Sequence, residues 1–186
     1  MLITEQMHSL TQELGQVILQ KGWLLSTAES CTGGLLAGAV TGVSGSSQWF
    51  DRGFVTYTNV AKIDMLGVLN NTLERFGAVS EEVAKEMSEG VLMKAIPSCC
   101  SISTTGIAGP TGGTAQKPVG MVCFGFSQRT RDGIQTSTFT EHFTGSRDEV
   151  RASAVRFALM QAAKLFGQDW WHLVWLWRFE LRLHAS

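Results

Sequence analysis

Ser30 and Cys31 stand side by side in the stretch STAESCTGG, residues 26–34, and a glycine pair follows one residue later. Such a turn, if it joins a strand to a helix, can carry acyl-transfer chemistry. A serine hydroxyl is a weak nucleophile until a base takes its proton, and backbone amides at Thr32, Gly33 and Gly34 can face the charge that develops on an attacked carbonyl. Cys31 competes for the role, because a thiolate at a helix N-terminus has a lowered pKa. The competing structural reading has Ser30 or Thr32 capping the next helix and Cys31 packed as a small buried side chain. A base for Cys31 is hard to find, since His8, His142, His172 and His184 are scattered and lie in no motif.

Tyr57, the only tyrosine in the chain, and Lys62 flank the segment TNVA, residues 58–61. A lysine desolvated at the mouth of the same turn loses its charge and can deprotonate Ser30, with Tyr57 orienting or relaying the proton. A solvated lysine beside a packed tyrosine is the alternative. The loop TTGIAGPTGG, residues 104–113, offers closely approaching backbone amides at Thr105, Gly106, Gly109, Gly112 and Gly113, a nest for an anion or simply a structural loop. It lacks the Gly-Lys-Ser/Thr ending of a Walker motif. Arg147 suits a phosphate too, although an exposed arginine is the ordinary case.

These residues need elements to position them. Apolar residues at Met7, Leu10, Leu14, Val17 and Ile18 predict a helix over Thr4 to Lys21, stopped by Gly22. Trp23 to Thr27 predicts a buried strand running into the serine turn, and Gly33 to Val43 a helix of small residues. Gly53 to Thr58 predicts a strand, after which Asn59 is expected to cap a short helix ending near Gly67. Ser80, Glu81 and Glu82 open a helix that Pro97 ends, followed by a strand over residues 98–104. Residues 106–120, with two of the three prolines, predict a long loop. Val119 to Gln128 and Ile134 to Phe143 predict strands joined at Arg131-Asp132-Gly133, and Ser146 with Glu149 opens a last long helix ending at Gly167. This alternation predicts a three-layer α/β/α sandwich with a mixed sheet, over one domain.

At 186 residues and 44% hydrophobic content, the chain is long enough to bury a core of its own. A formal net charge of −1 provides no basic field for a polymer of phosphates, so a nucleic-acid polymer is not an expected partner. The N-terminal residues MLITEQMHSLTQELGQ have neither a basic start nor an apolar signal core, which predicts a cytoplasmic location. The cysteines, Cys31, Cys99, Cys100 and Cys123, form no C-x-x-C pair and are expected to be reduced thiols with no metal cage.

Taken together, TAESCTGG, SGSSQWFDRGFVTYTNVAK, GAVSEEV, TTGIAGPTGGTAQKPVG and GSRDEVR resemble the CinA C-terminal domain family, in the same order from about residue 5 to about residue 167. The resemblance implies an α/β/α sandwich, a homodimer, and hydrolysis of the carboxamide of nicotinamide mononucleotide to nicotinic acid mononucleotide and ammonia, with neither metal nor organic cofactor. It places the family's nucleophile on Ser30 and its tyrosine and lysine on Tyr57 and Lys62. The substrate would then lie against Cys31 and the 32–34 turn, with its phosphate against the 105–113 loop and Arg147. The same domain also occurs fused behind a larger nucleotide-processing domain and is linked by name to competence and DNA damage. A non-enzymatic nucleotide-binding or interaction module is therefore the alternative.

The family pattern covers residues 1–167, whereas residues 168–186, QDWWHLVWLWRFELRLHAS, form an atypical tail holding four of the six tryptophans. Arg178, Glu180 and Arg182 interrupt it, so it is not expected to span a bilayer. Association with a partner or a second copy is its expected role ahead of membrane contact.

Overall fold

A computed structural model describes residues 4–168. The tail from residue 169 onward, for which an association role is expected, lies outside the described residues. Helix α1 spans Glu5–Gln20 and begins where the Thr4 hydroxyl accepts the Met7 amide at 3.3 Å. Strand β1 (Leu25–Glu29) leads through a turn into α2 (Leu35–Thr41), and strand β2 (Phe50–Val55) follows. Helices α3 (Asn59–Leu66), α4 (Asn70–Phe76) and α5 (Glu81–Lys94) come next, then strands β3 (Cys100–Gly106), β4 (Met121–Thr130) and β5 (Gly133–His142), and helix α6 (Arg147–Gly167).

The five strands form one mixed sheet in the order β2-β1-β3-β4-β5. Parallel pairs join β1 to β2 and to β3, while β3–β4 and β4–β5 are antiparallel. Helices α1, α2 and α6 bury Met7, Leu14, Ile18, Leu36, Val155 and Leu159 against one face of the sheet. On the other face Leu66, Leu73, Val83, Met87 and Val91 of α3, α4 and α5 pack together with Ala28 of β1. The predicted three-layer α/β/α architecture is the observed one.

The second interface is partly polar. On alternate positions of β3, Ser101, Ser103 and Thr105 donate to the carbonyls of Ser88, Ala84 and Ala78 at 2.7, 2.5 and 2.7 Å. Hydroxyl-to-carbonyl bonds of this kind need α5 close to the sheet, and Gly125, paired with Ser103 across β3–β4, makes room. A methyl group there would run into the Ala84 carbonyl and the hydroxyls of Ser88 and Ser103.

Several boundaries differ from the expectations for physical reasons. Helix α3 is capped by the Thr58 hydroxyl, which accepts the Ala61 amide at 3.1 Å, so Asn59 is the first helical residue and not the cap. Strand β1 runs two residues further than expected, to Glu29, and β2 starts earlier, at Phe50. Helix α2 starts at Leu35, because Gly33 and Gly34 both adopt positive φ, +61° and +93°. Helix α4 was not foreseen. Its first residues carry no cap of their own, and the cap comes from α5, where Glu86 accepts the Leu69 amide at 2.8 Å and the Thr72 hydroxyl at 2.6 Å. The Ser146–Glu149 capping box of α6 is formed in both directions.

Candidate active site

Strand β1 ends at Glu29, and the chain then makes two successive turns. The Gly33 amide donates to the Ser30 carbonyl at 3.1 Å, and the Leu35 amide donates to the Thr32 carbonyl at 3.1 Å. The second turn has Gly33 and Gly34 as its central pair, and two positive φ values in a row are what a type I′ turn demands. This is the physical reason for the glycine pair after the serine.

Glu29 organises the turn from within. Its side chain is fully buried, and its carboxylate accepts the Thr32 hydroxyl at 2.7 Å and the amides of Gly34, Leu36 and Ala37 at 2.9, 3.0 and 2.8 Å. The carboxylate thereby caps α2 and places a negative charge at the positive end of the helix. Neither Ser30 nor Thr32 performs that task. Thr32 also shares a hydrogen bond with Thr104 at 2.7 Å, and the Ser30 amide donates to the Thr104 carbonyl at 2.9 Å, so the turn is stitched to β3.

Ser30 Oγ is thus left for another partner, which is Lys62. Its ammonium nitrogen Nζ lies 3.0 Å from Ser30 Oγ, 2.9 Å from the Thr56 carbonyl and 3.3 Å from the Tyr57 carbonyl. Lys62 is 1% exposed, one of the largest fully buried side chains among the described residues, with no carboxylate in ion-pair contact among them. Burial disfavours its charged form and brings its pKa down from 10.5 to about 8. Cys31, next to the serine, is buried too, and burial pushes its thiol up to about 12, far from a thiolate at neutral pH.

A cavity of about 250 Å³ opens over this pair. Ser30, Cys31, Tyr57, Lys62, Thr105, Gly106, Gly109, Gly112 and Arg147 all line it, so the structure gathers most of the sequence-derived candidates at one mouth. Thr32, Gly33, Gly34 and Gly113 do not line it. The Gly33 and Gly34 amides are also already engaged, to Ser30 and Glu29, which leaves those of Cys31 and Thr32 unbonded by any other described residue of the turn. Gly113 lies against the Val119 backbone, where a side chain would clash.

Two candidates hold different contacts from those expected of them. Tyr57 meets Lys62 through its main-chain carbonyl, while its exposed phenol oxygen accepts a hydrogen bond from Arg147 Nη2 at 3.0 Å. Arg147, the first residue of α6, also donates through Nη1 to the Gly109 carbonyl at 2.8 Å, so it bridges the two sides of the mouth. Ala78 and Val79, from the α4–α5 connection, line the cavity and were not singled out from the sequence. Lys117 ties that connection to the glycine-rich loop, donating to the carbonyls of Phe76 and Val79 at 2.5 and 2.7 Å.

The described residues contain no group of three or more His, Cys, Asp or Glu side chains placed to hold a metal, and all four cysteines are free thiols. No helix among them is long and apolar enough to cross a membrane.

Comparison with known proteins places the chain in a family. The profile of the CinA C-terminal domain matches residues 7–166. A nicotinamide-nucleotide amidohydrolase PncC of Enterobacter agglomerans is 50% identical over 162 residues, which cover 87% of this chain and 96% of that one. The protein of the same name from Escherichia coli K12 is 46% identical over 164 residues, covering 88% and 97% of the two chains. Among solved structures, a CinA superfamily protein from Klebsiella pneumoniae superposes with a TM-score of 0.81 at 38% identity, covering 86% of this chain and 97% of the other. The chain belongs to the CinA C-terminal domain family.

Proposed function

We propose that the protein is a nicotinamide-nucleotide amidohydrolase, converting nicotinamide mononucleotide and water to nicotinic acid mononucleotide and ammonia, with Ser30 as nucleophile and Lys62 as its base. The observation that carries this is the buried Lys62 nitrogen 3.0 Å from Ser30 Oγ. The names of the PncC relatives, 46–50% identical over most of the chain, support the substrate.

A neutral amine has two N–H groups and one lone pair. The Thr56 and Tyr57 carbonyls, at 2.9 and 3.3 Å, take the two N–H groups, and the lone pair then faces the serine hydroxyl. Lys62 takes the hydroxyl proton as Ser30 Oγ attacks the carboxamide carbon. The amide of Cys31, which lines the cavity beside Ser30, receives the oxyanion. The C–N bond breaks as Lys62 passes the proton to the leaving nitrogen, and ammonia departs, with the Tyr57 phenol, held by Arg147, at the mouth to orient the substrate. Water, deprotonated by the same lysine, then cleaves the acyl-enzyme and restores Ser30. Thr105, Gly106, Gly109, Gly112 and Arg147 would receive the rest of the nucleotide, its phosphate at the glycine-rich side of the cavity.

A binding module without chemistry has no use for a desolvated lysine held against a serine, and this favours the enzyme over the interaction-module alternative. The proposal also takes the enzyme to be cytoplasmic and to work as a homodimer. Exposed apolar side chains at Val55 of edge strand β2, Val60 of α3 and Leu69 before α4 support the dimer.

The test is ammonia release by the purified protein from nicotinamide mononucleotide, with nicotinamide riboside and free nicotinamide in parallel. The proposal expects turnover of the mononucleotide and a KM at least about tenfold higher without the phosphate. No turnover of the mononucleotide would contradict it.

A further inference from the structure

Arg151 lies one turn along α6 from Arg147 and reaches the serine turn from behind, where its Nη2 donates to the Thr32 carbonyl at 3.0 Å. That carbonyl belongs to the peptide whose N–H is that of Gly33, and this N–H donates to the Ser30 carbonyl at 3.1 Å. The Ser30 carbonyl belongs in turn to the peptide whose N–H is that of Cys31. A guanidinium and two peptide groups therefore stand in series, all oriented the same way, and the series ends at the amide next to the candidate nucleophile.

Hydrogen-bonded peptides polarise one another, and a cation at the head of the chain strengthens the last donor. Three features fit that use. The Arg151 side chain is 22% exposed, so its field is only partly screened. Among the described residues the carboxylate in ion-pair contact with it, Asp148, is 67% exposed at 3.6 Å and offsets little of the charge, while the Glu29 carboxylate in the same turn is engaged by four donors of its own. Arg151 Nε is buried with no acceptor among the described residues, so the group is held at the turn despite an unsatisfied donor. The guanidinium lies against Gly33, whose ideal Cβ position is 3.5 Å from Arg151 Nη2, an ordinary contact distance.

Building on the amidase proposal, we infer that Arg151 is a positioning residue for the oxyanion hole, its charge acting through the Thr32–Gly33 and Ser30–Cys31 peptides on the Cys31 amide. The class of ligand served is the tetrahedral oxyanion formed from the carboxamide. Arg151 itself need not touch the substrate.

The experiment is chemical rescue of the full chain bearing Arg151→Ala, assayed on nicotinamide mononucleotide with added guanidinium or with urea, its neutral isostere, at equal low concentration. The expected result is a kcat about 30-fold below wild type with KM within about threefold, recovered substantially by guanidinium and not by urea. The rising limb of the pH profile assigned to Lys62 stays in place. Unchanged kcat, equal recovery by both additives, or recovery by neither would overturn the inference. If Arg151→Ala does not fold, Arg151→Lys and Arg151→Gln replace it; a kcat about tenfold higher for lysine supports the charge, and equal values overturn it. Wild-type protein that releases no ammonia would overturn the amidase proposal and this inference with it, whereas an active wild type whose variants show no charge dependence would overturn the inference alone.

Discussion

Lys62 holds one nitrogen against three oxygens, and only two of them, the carbonyls of Thr56 and Tyr57, can be served by the N–H groups of a neutral amine. The third, Ser30 Oγ, is where the chemistry would be. Because burial brings Lys62 to about 8, kcat/KM for nicotinamide mononucleotide should rise with pH and level off above an apparent pKa near 8. A profile flat between about pH 6 and 9 would remove the lysine from the base's role. At this scale the sequence was informative about Ser30, Tyr57 and Lys62 as types, and much less about contacts. Glu29 carries no signal of its role, because a carboxylate closing a strand normally points to solvent, and only the turn and the first residues of α2, folded back over it, supply its four donors. Arg151 carries none either, because nothing in the residue's type shows that a carbonyl 119 positions earlier lies against it.

At the scale of elements, the candidate site depends on a strand, a double turn and a helix held in one register by a single carboxylate. Glu29→Ala would leave the Thr32 hydroxyl and three amides without their acceptor, and we expect destabilisation of about 3–5 kcal/mol by urea unfolding, with Glu29→Gln falling between. Wild-type stability for Glu29→Ala would mean that water can replace the carboxylate. Gly125 sets the approach of α5 to the sheet, so Gly125→Ala should destabilise by about 1–3 kcal/mol, a loss read in the same experiment. Elements with local signals, such as α1, α5 and α6 with their Thr4, Ser80 and Ser146 caps, were legible in the sequence. Helix α4 was not, because Glu86 caps it from a different helix. The start of α2 carries no local signal, because its cap is a carboxylate seven residues before Leu36.

For the molecule as a whole, burying a lysine with no carboxylate partner among the described residues opposes folding. A shift from 10.5 to about 8 corresponds to about 3 kcal/mol, present in full below pH 8, where folded and unfolded chains are both protonated. Between pH 8 and 10.5 the folded state gives up the proton first, the unfolded state binds more, and the penalty fades. Lys62→Met should therefore raise Tm by a few degrees at pH 7, with the gain narrowing above pH 8, while turnover is lost. A Tm lowered by the substitution would instead make Lys62 a net structural tie. The layered architecture itself was legible, since helix and strand periods alternate along the chain, but the strand order β2-β1-β3-β4-β5 and the meeting of α3 with the β1–α2 turn are long-range facts that no local pattern carries. The proposed homodimer has its own check in sedimentation, where a mass of twice 20.3 kDa is expected and a monomer at micromolar concentration would contradict it.

The most direct test of the central claim, that Ser30 is the nucleophile, is the rate of ammonia release from nicotinamide mononucleotide by Ser30→Ala and Cys31→Ala measured side by side with the wild type. We expect at least about a 10³-fold loss of kcat for Ser30→Ala and a rate within about tenfold of wild type for Cys31→Ala. The reverse pattern, activity kept without the hydroxyl and lost without the thiol, would contradict it.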